Sequence, residues 1–284
     1  MTGQKLFLGL FIACACSISA VHNWINEPSC GLSKPHSRVF NGKPARRMQV
    51  PWIVNWYSFL RYDPGEMFMS PCGGSIISRT FVLTAAHCFH DSIPVKKLVV
   101  LVFYNSTTRT RGPWTTAKKI IIHPNYVGTT LANDIALMEL STSLDFDQFV
   151  APVCLPKSQW KAAGQRLFVA GWGATDEEGK GPVSDVLLYT ILRAAPRKVC
   201  EPCMEEDYVK KSTVICSYSN STQPQPGDSG GPAMVLKRNG RSVQVGVQSW
   251  IGRCQDYHYN SGFTKVSLYI PWIESIVTPY EANN

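Results

Sequence analysis

The 284-residue chain lacks the features of several large protein classes. After residue 20 it has no apolar run long enough to cross the roughly 30 Å core of a bilayer, so no membrane span is expected. It has no internal repeat and no low-complexity tract. No nucleic-acid motif and no interleaving of basic and aromatic residues is present, which argues against nucleic acid as a partner. These absences leave a globular protein of one or two domains as the expected class.

Carboxylates are absent from a long part of the chain, since no aspartate or glutamate stands between Asp91 and Asp134. A cage for a hard cation such as calcium has no ligands in that stretch. His90, His123 and His258 are isolated and do not have the spacing of metal ligands. We therefore expect no metal and no cofactor.

The N-terminus has the pattern of a secretory signal peptide over residues 1–20. Lys5 precedes an apolar run from Leu6 to Cys16, and the small residues Ser19 and Ala20 follow near the expected cleavage point. The run is too short for a transmembrane anchor. Eight cysteines remain after removal of this segment, an even number that suits an oxidising compartment but allows 105 pairings. The expected product is secreted and extracellular.

Short apolar and β-branched runs, separated by glycine, proline, asparagine and serine, predict an all-β protein. The predicted strands are Leu98–Tyr104, Lys119–Ile122, Ile135–Leu140, Leu167–Ala170, Val186–Leu192 and Val243–Ser249. Tyr269–Tyr280 predicts a terminal helix, because Pro271 suits a first turn and Trp272, Ile273 and Ile276 are spaced for one buried face.

Residues 227–232 read Gly-Asp-Ser-Gly-Gly-Pro, a pattern typical of an exposed nucleophilic serine. The flanking glycines allow the tight turns that point Ser229 outward. A serine hydroxyl is a weak nucleophile without a base, and Thr-Ala-Ala-His-Cys supplies one at His87. Asp134 brings a carboxylate into an otherwise apolar run. The order His87, Asp134, Ser229 along the chain is that of the chymotrypsin-type catalytic triad.

These motifs resemble the chymotrypsin/trypsin family of serine proteases, peptidase family S1, from Val39 to the C-terminus. The resemblance implies two six-stranded antiparallel β-barrels with a C-terminal helix. It also implies an activation propeptide over residues 21–38 and a catalytic domain over residues 39–284, whose barrels meet near residues 150–160. The first barrel would carry His87 and Asp134, and the second Ser229.

The resemblance assigns chemical roles to these residues. His87 would take the Ser229 proton and return it to the leaving amine, while Asp134 would hold the imidazole tautomer. Ser249 matches a family serine that supports the aspartate. The amides of Gly227 and Ser229 would form the oxyanion hole. Taken singly, such residues are more often a packed histidine, a capping aspartate and a turn serine.

Zymogen activation is implied at Arg38, where another protease would cut to free a new N-terminus at Val39. The new ammonium would pair with Asp228, the residue before the nucleophile, since a buried charge is costly without a partner. The alternative is an ordinary exposed arginine in a linker. The expected partners are protein or peptide substrates, this activating protease and protein protease inhibitors.

Disulfide pairs also follow from the resemblance. The implied pairs are Cys72–Cys88, Cys30–Cys154, and Cys216 with either Cys200 or Cys203. Cys254 and the unused member of that alternative either bond each other or stay free.

The chain lacks cysteines of two disulfides that are common in the family. Gln225 stands where many members have a cysteine bonded to the one at Cys254. Leu167 and Val235 replace both halves of another family bond, which predicts replacement by core packing.

The substrate pocket is expected to be neutral. Gln223 falls at the pocket floor, where trypsin-like members place an aspartate, and Ile251 replaces the usual glycine on the wall. Ser261 lies deeper inside. These residues predict cleavage after small or medium neutral residues.

The alternative to a serine endopeptidase is a catalytically weak protease-like binding protein, which is suggested by the missing pocket disulfide and by Ile251.

The surface carries two further kinds of signal. Asn105 and Asn220 begin Asn-Ser-Thr glycosylation motifs. A basic cluster in the carboxylate-free stretch consists of Arg109, Arg111, Lys118 and Lys119. It would attract anionic partners, although a solvated charged face is the preferred interpretation.

Overall fold

Antiparallel strands dominate the parts of the chain that the computed structural model describes. The described residues are 26–33, 43–46, 48–60, 71–89, 93–157, 159–176, 179–200, 213–219, 221–253 and 259–281. The predicted signal peptide, Arg38, Val39, His90, His258, Cys203, Cys254 and Asn220 lie outside these ranges.

The first half of the chain forms a closed six-stranded barrel in the order β2-β3-β4-β7-β6-β5. Its strands are β2 (Ile53–Leu60), β3 (Cys72–Ile76), β4 (Phe81–Thr84), β5 (Leu98–Phe103), β6 (Trp114–Ile122) and β7 (Ala136–Leu140). In β5 buried and half-buried side chains alternate, as expected for a strand with one face on the core. Inside the barrel the rings of Trp56 and Phe89 stack 4.8 Å apart.

The second half forms a second barrel in the order β9-β10-β13-β12-β11-β8, closed by pairing of β8 with β9. Its strands are β8 (Arg166–Gly171), β9 (Leu188–Ala195), β10 (Val214–Ser219), β11 (Pro232–Leu236), β12 (Ser242–Arg253) and β13 (Tyr259–Lys265). A short strand β1 (Lys43–Pro44) adds to the outside of β9. Helix α1 (Ile270–Glu281) follows. The expected architecture of two six-stranded barrels and a C-terminal helix is confirmed.

All six predicted runs lie in strands, with shifted ends. The run predicted from Val186 forms a strand only from Leu188, and Val186 itself is exposed. The strands that the sequence reading missed include β3, whose sequence Cys-Gly-Gly-Ser-Ile has little β-branched character. Helix α1 buries Ile273 and Val277, whereas Trp272 and Ile276 are half-buried.

Buried polar contacts join the two barrels. Ser75 on β3 donates a 2.5 Å hydrogen bond to Gln244 on β12, and both side chains are fully buried. Trp52, just before β2, directs its indole NH at the sulfur of Met234 on β11, at 2.9 Å. Because these groups have lost contact with water, they favour one relative placement of the barrels.

Residues 26–33 dock on the second barrel and on the segment before it. Cys30 is bonded to Cys154. Asn26 exchanges two hydrogen bonds with the backbone of Leu155, at 3.1 and 2.7 Å. Arg241 donates to the carbonyl oxygen of Cys30 at 2.5 Å. The segment is therefore held by several contacts besides the disulfide.

Gly31 is the tightest point of this docking. Its amide donates to the carbonyl of Pro152 at 2.8 Å, and its own carbonyl accepts from the amide of Ser242 at 2.9 Å. Its φ of +65° lies in the left-handed region, and a Cβ there would clash with the Ser242 carbonyl. Only glycine fits such a position without strain.

Two further disulfides are present, Cys72–Cys88 and Cys200–Cys216. The second decides between the two alternatives for Cys216. Leu167 and Val235 are both buried in the core of the second barrel, as the packing interpretation expected. Within the described ranges no helix is long and apolar enough to cross a membrane.

Candidate active site

A fully buried carboxylate, that of Asp134, forms the centre of the site. Its Oδ2 lies 2.7 Å from Nδ1 of His87, and its Oδ1 accepts the backbone amide of the same residue at 2.9 Å. Ser249 on β12 donates its hydroxyl to Oδ2 at 2.6 Å. The carboxylate therefore has three donors around it, which a buried charge requires.

His87 lies in the single helical turn Ala86–Cys88 that follows β4. Its neighbour Cys88 is bonded to Cys72 on β3, so the turn is fastened to the barrel. The His87 side chain is 22% exposed, whereas Asp134 is 0% exposed. With Nδ1 directed at a carboxylate, the proton belongs on Nδ1 and Nε2 is left as a proton acceptor.

The glycine next to Ser229 allows this residue to lie close to the His87 turn. Gly230 has a φ of +77°, and a Cβ there would collide with the Thr84 hydroxyl and lie 3.1 Å from the amide of Ala85. These two residues directly precede the His87 turn. The Ser229 carbonyl accepts the Gly73 amide at 2.7 Å, and the Gly230 amide donates to Gln248 beside Ser249. The structure thus places the predicted serine beside the turn that carries the histidine.

The turn before Ser229 is compact. The amide of Asp228 donates to the carbonyl of Gln225 at 2.9 Å, and the amide of Gln225 donates back to the Asp228 carboxylate at 2.9 Å. Gly227 has a φ of +101°, and a Cβ there would approach Val183 to 2.9 Å. This position therefore needs a glycine, which leaves its amide uncovered by a side chain.

Asp228 lines a cavity of about 560 Å³, together with residues that include Gly171, Gly173, Tyr189 and Gln223. A Cβ at either glycine would collide with the carboxylate, so both glycines make room for it. The amide of Gly173 donates to Oδ1 at 2.8 Å. Burial raises the pKa of Asp228 from 3.8 to about 6, although the amides of Gln225 and Gly173 oppose the shift. The two amide hydrogen bonds therefore do not stabilise the ionised carboxylate of Asp228 enough to offset its burial.

Gln225 has a contact that the sequence reading missed. Its side-chain amide donates to the backbone carbonyl of Asp176 at 3.1 Å. Gly179, at a φ of +69°, packs against Gln225 and Pro226. Gln225, at the position of the missing cysteine, therefore joins the turn before Ser229 to the loop after β8. Such a contact has no signature in the sequence, because it depends on how that loop folds back.

The three predicted pocket residues divide between two places. Ile251 and Ser261 lie opposite each other in the β12–β13 pair, and Ser261 is only 1% exposed. Gln223 lines the cavity that contains Asp228. Between them, the indole of Trp250 lies directly against the backbone of Gly262, where a Cβ would clash with the ring. Their role in substrate recognition stays a prediction.

The basic cluster has acidic neighbours. Arg109 lies 3.4 Å from Asp185, and Lys118 lies 2.6 Å from the buried Glu139. The hydrogen bond to Glu139 raises the pKa of Lys118. Such pairs weaken the case for an anion-binding surface.

The expected glycosylation at Asn105 and Asn220 is not tested by the described residues. Asn105 is half-buried and has a φ of +53°. Within the part of the chain that is described, no cluster of three or more histidine, cysteine, aspartate or glutamate side chains could hold a metal ion.

Comparison with known proteins decides the family, because the sequence model of the trypsin family matches residues 39–273. The chain belongs to the trypsin family. It is 33% identical over 256 residues to vitamin K-dependent protein C of Oryctolagus cuniculus, covering 86% of this chain and 53% of that protein. The Rattus norvegicus protein of the same name is 32% identical over 252 residues, with 84% and 52% covered. The chain thus spans about half the length of these relatives.

A solved structure supports the same fold for this trypsin-family chain. The structure, titled as an HL collagenase at 1.7 Å resolution, is 26% identical with a TM-score of 0.70. The match covers 84% of this chain and 98% of that chain. The likeness extends across both barrels.

The raised pKa of Asp228 predicts how the stability of this trypsin-family chain depends on pH. Between pH 4 and about pH 6 the unfolded chain ionises this carboxyl while the folded chain keeps it protonated. The folded state therefore loses stability as pH rises through this window, by at most roughly 3 kcal/mol. Asp228→Asn should lack this component. Urea unfolding of both proteins at several pH values checks it, and parallel curves would contradict the assignment.

Proposed function

We propose that the protein is a serine endopeptidase that hydrolyses peptide bonds through an acyl-enzyme. The observation that carries the proposal is the buried Asp134 carboxylate, which contacts Nδ1 of His87 and the hydroxyl of Ser249. This arrangement sits beside the glycine-rich turn that presents Ser229. A buried carboxylate with a histidine ring and a serine hydroxyl as partners is the arrangement that such a reaction needs.

In the proposed reaction, the Ser229 oxygen attacks the carbonyl carbon of the substrate while its proton passes to Nε2 of His87. The carbonyl oxygen becomes an oxyanion, which the amides of Gly227 and Ser229 stabilise by about 3 kcal/mol per donor. His87 then gives the proton to the leaving amine as the C–N bond breaks. Water repeats the sequence on the acyl-enzyme and restores Ser229.

Asp134 supports this cycle without receiving the proton. Because both carboxylate oxygens accept hydrogen bonds from His87, the ring is held in the tautomer that leaves Nε2 unprotonated. When the ring becomes positively charged, it is stabilised by the carboxylate, which is itself shielded from water.

We further infer that the protein is secreted as a zymogen, through a signal peptide over residues 1–20 and cleavage after Arg38. The cavity around Asp228 supports this inference, since it holds a carboxylate whose raised pKa an ammonium from Val39 would lower. The Cys30–Cys154 bond and the docking of residues 26–33 would keep the propeptide attached after cleavage.

The substrate side chain before the cleaved bond is proposed to be neutral and small to medium in size. Gln223 carries no charge to pair with a substrate arginine or lysine, and burying such a cation unpaired would cost several kcal/mol. The β-branched side chain of Ile251 would narrow the pocket for a large ring. This enzyme would then cut poorly after its own Arg38 and would depend on another protease for activation.

Labelling with a serine-directed fluorophosphonate tests the proposed activity. After verified cleavage at Arg38, we expect a stoichiometric adduct on Ser229, because only an activated serine reacts readily. Ser229→Ala and the uncleaved chain serve as controls. An activated protein with no adduct on Ser229 would favour the protease-like binding protein.

A peptide library tests the proposed specificity. Cleavage should follow Ala, Val or Leu, and Ile251→Gly should raise cleavage after Phe by making room for the ring. Dominant cleavage after Arg or Lys would overturn the pocket assignment. If Phe cleavage does not rise in the variant, Ile251 is not on the pocket wall.

A further inference from the structure

We propose that Tyr269 is a positioning residue for the buried Asp134, and that it acts through the side chain of Asn133. The inference rests on the proposed serine protease function, because it concerns the alignment of the same carboxylate. Tyr269 lies immediately before helix α1, 135 residues along the chain from the aspartate. Neither the triad motifs nor the pocket residues pointed to it.

The backbone just before Asp134 is in an unusual conformation. Asn133 has a φ of +55°, in the left-handed region that residues other than glycine seldom adopt. Such a residue persists only when its surroundings hold it in place. The amide of Ile135 donates to the carbonyl of Asn133 at 2.8 Å, so the chain turns sharply around Asp134. The direction of the Asp134 side chain therefore depends on what fixes Asn133.

Both polar atoms of the Asn133 side-chain amide form hydrogen bonds. The Tyr269 hydroxyl donates to Oδ1 at 3.0 Å, and Nδ2 donates to the carbonyl of Asn125 at 2.6 Å. On the other side of the turn, the Thr264 hydroxyl donates to the carbonyl of Asp134 at 2.7 Å. Hydrogen bonds from β13 and from the start of α1 thus hold the two residues that determine where the carboxylate points.

Tyr269 is itself rigidly placed. It is only 4% exposed, and the ring of His123 meets it edge-on with a centroid distance of 5.2 Å. His123 also contacts Trp272 on α1 at 4.9 Å and donates its backbone amide to the carbonyl of Ile135 at 3.1 Å. Burial and the negative charge of Asp134 raise the pKa of Tyr269 to about 12. Its hydroxyl therefore keeps its proton and remains a donor at neutral pH.

Ring packing alone does not account for this tyrosine, because a phenylalanine would fill the same space. Without the hydroxyl, Oδ1 of Asn133 would lose its donor in a partly buried place, and the strained turn would lose one of its restraints. The Asp134 carboxylate would then be less well aligned with Nδ1 of His87. The imidazolium formed during the reaction would be less stabilised, which lowers the rate of the chemical step without altering substrate binding.

The test compares Tyr269→Phe with the unchanged enzyme after cleavage at Arg38. We expect kcat to fall by about tenfold, the effect of one weakened hydrogen bond, while KM changes little. The acidic limb of the kcat/KM profile should move to lower pH, since the charged ring loses support. Ser275→Ala is the matched control, because it removes a hydroxyl on α1 that bonds only within the helix, to the Trp272 carbonyl at 2.8 Å.

A second readout does not depend on catalysis. The NMR signals of the His87 ring, followed against pH, should titrate at lower pH in Tyr269→Phe than in the unchanged protein. If the unchanged protein hydrolyses nothing, the proposed function fails, and this titration still decides the role of Tyr269. Should Tyr269→Phe not fold, Asn133→Gly tolerates the positive φ while removing the acceptor, and it should give the same shift. Unaltered titration and unaltered kcat, or a loss of stability alone, would overturn the proposal.

Discussion

The carboxylate of Asp134 is fully buried, and most of the polar groups around it in the site serve to stabilise it in that place. His87, Ser249 and the backbone around residue 87 supply donors to its oxygens. Two of these donors belong to His87, beside the first barrel, and the third to Ser249 in the second, so the carboxylate has all its partners only where both barrels meet. The same charge stabilises the imidazolium in the proposed reaction, and the group that constrains the fold is therefore the group that makes the histidine a useful base.

Asp228 presents the opposite case, a shielded carboxylate with too few partners. Two backbone amides approach it, yet its pKa remains raised to about 6. Its cavity and the compact turn at residues 225–228 are contiguous, so a cation reaching Asp228 would act on the amide of the preceding residue, Gly227. Under the proposed activation, cleavage after Arg38 would thus change the stability of the turn that carries the Gly227 and Ser229 amides. It would do so without adding any group to the substrate cleft.

The all-β class could be predicted from local sequence patterns, whereas the two barrels and the proposed catalytic roles followed from the resemblance of three short motifs to the family. Glycines around Ser229 indicate tight turns, and the continuous apolar run of β5 indicates a strand. Gln225 and Tyr269 could not be found in this way, since a glutamine in a turn and a tyrosine before a helix are ordinary residues. Their contacts with Asp176 and Asn133 depend on tertiary folding over separations of about 50 and more than 100 residues. The pocket stayed uncertain for the same reason, because its walls come from strands that pair only in the folded state.

The location of the proton on the His87 ring tests the central claim most directly. The account predicts that at neutral pH the proton is on Nδ1, facing Asp134, and that Nε2 is unprotonated. Nitrogen-15 NMR of the labelled histidine distinguishes the two tautomers, and Asp134→Asn should reverse the preference because an amide NH would then face Nδ1. A proton found on Nε2 in the unchanged protein would contradict the account, since that nitrogen could not then accept the proton of Ser229.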